Sequence, residues 1–94
     1  MSKHKKLTLI EGTFSNEEAK EILMNIFSTK IHFHEMKNFS SMERFGKEDE
    51  IAQKRIPALK KELIKLREFL SETKAENKKL VVSSEISISL VNDL

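Results

Sequence analysis

The stretch 52–73, AQKRIPALKKELIKLREFLSET, decides the fold. Within it Ala52, Ile56, Leu59, Leu63, Leu66, Leu70 and Thr73 recur at alternating steps of four and three. That spacing is the a/d seam of a helix that packs lengthwise along another helix, because side chains three and four apart stack on one face. Pro57 fits a first turn but costs about 3 kcal/mol in a helix interior. The main helix is therefore expected to begin near Ile56, with 51–55 as a preceding turn or kinked extension, and to fade at Thr73 and Asn77.

The partner helix is sought upstream. Ser15 precedes Glu18 by three residues, the capping-box spacing in which hydroxyl and carboxylate satisfy the first free backbone N–H groups, and Glu17 adds favourable negative charge. Ala19, Ile22, Leu23, Ile26 and Phe27 then form an apolar stripe. Over residues 28–38 two readings compete. As a strand, Ile31 and Phe33 would face one side and His32 and His34 the other. As a helix, the seam Ala19, Ile22, Ile26, Thr29, Phe33, Met36 continues the three/four rhythm, and a helix over 16–38 would span roughly 35 Å, matching roughly 31 Å for 57–77. The length match favours the long helix. Residues 38–50, NFSSMERFGKEDE, have the composition of a connection, with one helical turn at 42–45 ended by Gly46 and with Phe39 and Phe45 pinning it to the hairpin end.

Strands flank the two helices. Residues 5–11, KKLTLIE, alternate with Leu7 and Leu9 on one face and Thr8 and Ile10 on the other, and Gly12 is read as the end of the strand. Residues 78–91 place Leu80, Val82, Ile86, Ile88 and Leu90 on one face and Ser83, Glu85, Ser87 and Ser89 on the other. Twelve residues from Leu80 would span about 40 Å, far more than the first strand, so full-length pairing is not expected. The order implies an α+β, β-α-α-β fold, an antiparallel helix hairpin packed on a short antiparallel sheet. A two-stranded ribbon is marginal in water, and an overhanging strand leaves bare backbone groups, so the sheet is expected to be completed by homodimerisation. Residues 1–94 are read as a single domain with 1–4 as a frayed tail.

Composition narrows the function classes. The chain has 94 residues, no Cys, and 17 basic against 15 acidic side chains for a net charge of +2, so its overall field is too weak to imply nucleic acid. The lack of Cys removes thiolate metal sites and thiol nucleophiles. No stretch approaches the apolar length of a membrane span and no apolar leader is seen, which points to a cytoplasmic protein without membrane contact.

Few constellations carry chemistry. His32-x-His34 followed by Glu35 has metal-ligand character on a strand, but on a helix the two rings point about 200° apart. Glu11-Gly12-Thr13-Phe14-Ser15 is a capped helix start with too little glycine for a phosphate loop, and no serine has an elbow or neighbouring base. No enzyme, cofactor or metal is expected. Lys54, Lys60, Lys61, Lys65 and Arg67 form a basic helix surface at the start of the second helix, the opposite of what the helix dipole favours. They are the candidates for a small nucleic-acid-associated regulator. The favoured reading is a non-enzymatic interaction module that homodimerises and binds a protein partner.

Overall fold

The structure, a computed structural model, describes residues 3–92. The capping box opens the first helix: the Ser15 hydroxyl accepts from Glu18 N–H at 3.1 Å and the Glu18 carboxylate accepts from Ser15 N–H at 2.9 Å. The elements are β1 (His4–Phe14), α1 (Asn16–Phe45), α2 (Glu50–Lys74) and β2 (Leu80–Ser89). The β-α-α-β order, the helix hairpin and the antiparallel sheet are those the sequence implies.

Residues 28–38 are helical, and α1 runs on without a break to Phe45, so the expected connection at 38–50 shrinks to the turn 46–49. No residue before Gly46 interrupts the backbone. Gly46 closes the helix at φ 68°, where a side chain is disfavoured, and its N–H donates to Met42 C=O. Asn38 and Ser41 are helical residues turned to the closing turn: Asn38 Oδ1 accepts from Asp49 N–H at 2.8 Å, and the Ser41 hydroxyl donates to Lys47 C=O at 2.7 Å.

α2 begins six residues before Ile56, with the Asp49 carboxylate accepting from Ala52 N–H. Pro57 therefore lies inside the helix rather than in its first turn. Its missing N–H leaves an acceptor near exposed Gln53 in reach of water, while Ala52, 0% exposed, anchors the extra turns. All seven positions of the a/d seam are buried or half-buried.

The face of α1 turned to α2 differs from the expected one. Ile31 packs with Leu59 and Leu63, joined by Met24, Phe27 and Leu66. His34, Asn38 and Ser41 continue that line toward the closed end. Thr29, Phe33 and Met36 are exposed, so the lower part of the seam Ala19, Ile22, Ile26, Thr29, Phe33, Met36 faces away. Phe39 and Phe45 are exposed too and do not pin the turn.

The strands pair over nearly their whole length, from His4↔Ser89 to Phe14↔Leu80. β1 is longer than the alternation suggested: it crosses Gly12 and ends at Phe14, and there is no long overhang of β2. Gly12 pairs with Val82, and the Phe14 ring occupies its missing side-chain space, 3.1 Å from where a Cβ would stand. The register shifts between Thr8 and Ile10, leaving Leu9 as the extra residue of a bulge. Leu7 thereby joins Ile10 on one face, opposite Ile86, instead of lying on the other side of the sheet from it. Of the expected tail 1–4, residues 1 and 2 lie outside the described residues, and His4 is already paired.

Burial along the ribbon is graded. Ile10, Gly12, Phe14, Leu80, Val82 and Ser84 share one face near the helices and are buried or half-buried, whereas His4–Leu9 and Glu85–Ser89 are exposed. Of the two helices α1 alone touches the strands. The hairpin covers the root of the sheet and the far half projects past it. The Cα radius of gyration is 17.0 Å, against about 12 Å for a compact chain of this length. The accessible surface is 8083 Å², and a compact monomer of this mass exposes about 5,600 Å².

Leu63→Ala should cost about 2–5 kcal/mol in denaturant unfolding, while Ile64→Ala, at a side chain 54% exposed, should cost well under half of that. Equal losses would mean that the seam is not buried. The Glu18 carboxyl is held below its usual value of 4.5 by the Ser15 backbone N–H, helped by the Ser15 side chain and the Lys79 charge. A lowered folded-state pKa stabilises the fold above the unfolded value and is lost as pH falls through the lowered one. Glu18→Gln should therefore flatten the stability profile below about pH 4.5, and NMR titration of the wild-type carboxyl should give a midpoint under that value.

Candidate functional site

α1 has two apolar stripes. Met24, Phe27 and Ile31 meet α2; Ile22, Ile26, Phe33 and Met36 lie about 170° round the helix from them at 100° per residue. On this outer stripe Ile22 and Ile26 are half-buried, while Phe33 is 52% exposed and Met36 is as open. Such a helix has apolar residues on opposite faces and little amphipathic direction, the pattern of a helix covered on both sides. The Phe33 ring stands edge-on to His34 at 5.3 Å, with the Lys30 and Lys37 ammonium groups 5.7 and 6.0 Å from its centre. Two flexible cations thus flank the ring without burying it.

The ribbon carries the second bare apolar surface. Leu7, Ile86 and Ile88 share the face whose root is covered by the hairpin, and all three are exposed. The opposite face presents Glu11, Thr13, Ser83, Glu85 and Ser87, with Val81 as its apolar exception. The ribbon is one-sided, and half of its apolar side lacks cover.

The basic candidates fall into two groups. Lys54, Lys61 and Lys65 lie on the side of α2 turned away from its seam, and Lys60 and Arg67 lie on a flank about 120–140° from them. All five are exposed. Lys65 pairs with Glu62 at 3.2 Å, an exposed pair worth little. Among the described residues it is the one candidate cation held in an ion pair. Arg67 lines a shallow groove with Asn16, Glu17, Lys20 and Lys74, where an acid is mixed with the bases.

His32 and His34 diverge on α1: His34 is 8% exposed in the hairpin seam and His32 is in solvent. They do not converge on one ion. Among the described residues no three His, Asp or Glu side chains are grouped to hold a metal. No described helix is long and apolar enough to cross a membrane. The recess beside Pro57, bounded by Asn38, Glu48 and Gln53, is wide open and offers no convergent polar groups.

α1 carries two stripes where a single one is expected from the sequence, and the second is legible there: Met24, Phe27, Ile31 and His34 keep the same three/four rhythm as Ala19, Ile22, Ile26, Thr29, Phe33 and Met36. No family model matches the chain, and no curated protein or solved structure shows significant similarity to it.

His34→Ala should destabilise the hairpin by about 1–3 kcal/mol and His32→Ala by less than about 0.5 kcal/mol, as read by urea unfolding. Equal effects would contradict their placement on opposite sides of α1.

Proposed function

We propose that this chain is a non-enzymatic interaction module that homodimerises and holds a protein partner. One observation carries the reading: α1 has an apolar stripe on each of two opposite faces, and α2 covers one of them. A water-exposed stripe of Phe33 and Met36, together with Leu7, Ile86 and Ile88, disfavours the lone chain; each apolar side chain removed from water contributes about 1.5–3 kcal/mol. The surface supports the same view. The chain exposes about 2,500 Å² more than a compact monomer of its mass. Obligate homodimers bury about 2,000–5,000 Å² over both copies, about 1,000–2,500 Å² from each, so the excess covers the upper end of that range. The polar outer side of α2 stays accessible in such an assembly and is the side left for a further protein.

A second reading rests on the exposed cations Lys54, Lys60, Lys61, Lys65 and Arg67, which suit phosphate contacts. The acids interspersed on α2 and the absence of Tyr and Trp give it less support.

Sedimentation at micromolar concentration should give twice the 10.9 kDa chain mass; a cooperatively folded monomer would overturn the reading. Nucleic-acid binding should be negligible near 150 mM salt, and Lys61→Glu with Lys65→Glu should leave the dimer unchanged. Submicromolar binding at that salt, falling by roughly one power of salt concentration per phosphate contact and lost in the double variant, would put the second reading first.

A further inference from the structure

The two outer edges of the ribbon are unequal. β1 is guarded along its free edge by the Leu9 bulge and by Lys3, Lys5 and Lys6 near its start, devices that block strand addition. β2 is regular from Leu80 to Ser89 with Glu85 as its one charge. The Leu90 N–H donates inward to Lys3 C=O at 3.2 Å. Backbone groups alternate in direction along a strand, so Leu80, Val82, Ser84, Ile86 and Ile88 also bond toward β1. Val81, Ser83, Glu85, Ser87 and Ser89 turn their N–H and C=O groups to the open edge.

We propose that a second copy of this chain adds to that edge, β2 against β2 and antiparallel, with Ser84 opposite Ser84 of the partner subunit. This rests on the self-association reading above and specifies its geometry. Shifting the pairing by one residue would set the apolar face of one ribbon beside the polar face of the other, which the one-sided pattern forbids. Among the allowed registers, one centred on Glu85 opposes two like charges, and one centred on Ile86 sets Leu80 against an asparagine. The register centred on Ser84 pairs Leu80 with Ile88 and Val82 with Ile86 on the apolar face, and Ser83 with Glu85 on the polar face.

The same two-fold axis explains the bare half of the ribbon. Antiparallel pairing brings the root of one β2 beside the far end of the other. The partner's α1, seated over its own sheet root, then lies next to exposed Leu7, Ile86 and Ile88. In the proposed dimer the outer stripe of that α1, with Ile22 and Ile26 nearest the sheet root and Phe33 and Met36 farther along the helix, closes over them. One assembly thus fills a free hydrogen-bonding edge, an uncovered sheet face and an uncovered helix face, and the excess surface of the lone chain is of the size such an interface needs.

The chain has no cysteine, so Ser84→Cys provides a single thiol per copy. Ser84 and its symmetry mate form a pair without ladder hydrogen bonds, where Cα atoms approach to about 4.5 Å, within disulfide range. Mild oxidation at micromolar concentration should convert most of the Ser84→Cys protein to a linked dimer, while Lys6→Cys on the guarded edge should stay unlinked. Phe33→Glu should weaken the dimer at least tenfold with unchanged circular dichroism, since its side chain is open in the lone chain. A dimer by sedimentation that does not cross-link at position 84 overturns the β2 pairing and leaves self-association standing. A folded monomer removes both, and a Phe33→Glu dimer of full strength overturns the α1 contact.

Discussion

The rest of the molecule depends on the contact between α1 and α2. Its apolar centre is Ile31 against Leu59 and Leu63, and two asparagines pin its ends. Asn16 Nδ2 donates to Leu70 C=O at 2.9 Å at the open end, and Asn38 accepts from Asp49 N–H at the closed end. Apolar side chains tolerate sliding by a turn, whereas a buried polar group left without its partner costs about 1–3 kcal/mol. The apolar middle supplies the attraction and the polar ends fix the register. With that register set, Phe14 and Leu80 arrive side by side at the open end, and the ribbon is fed from there.

The hairpin has unlike sides as a result. The outward side of α2 carries Lys54, Lys61 and Lys65, long charged groups that water solvates well. The outward side of α1 carries Phe33 and Met36, with Phe39 beyond them. Asymmetry of this kind directs association: a partner that removes apolar area from water gains on the α1 side and meets solvated charge on the α2 side. The ribbon is built in the same sense, since the bulge at Leu9 rotates Leu7 onto the face that already holds Ile10 and Val82. Without that extra residue the distal apolar groups of β1 and β2 would be divided between two faces.

Several features were legible in the residues because they are local. Ser15 and Glu18 marked the helix start through a contact spanning three residues, and the a/d spacing in 52–73 marked the buried line of α2. The basic surface of α2 was equally legible, since residues on the solvent side of a seam helix are exposed wherever the partner lies. The α1 stripe toward α2 was not, because two stripes share one periodicity and apolarity does not say which one the neighbour will take. The more polar of the two was chosen: Asn38 and Ser41 sit where the closing turn supplies hydrogen-bond partners, and His34 is buried beside them in the same line.

Sequence by itself determined the element order, the capped start of α1 and the one-sided character of β2, all consequences of spacing between near neighbours; it left 28–38 between helix and strand, and the fold makes that segment helical. Tertiary structure decided the rest. Whether Pro57 begins a helix or lies inside one depended on Ala52 finding cover against α1, and no property of the peptide around Pro57 encodes that. Where β1 stops depended on Val82 and Leu80 pairing with Gly12 and Phe14 from across the molecule. The bulge at Leu9, and with it the face that Leu7 joins, is a property of two strands in register. Sequence distance hides such choices because each is made by a free energy shared between segments, and neither segment alone contains it.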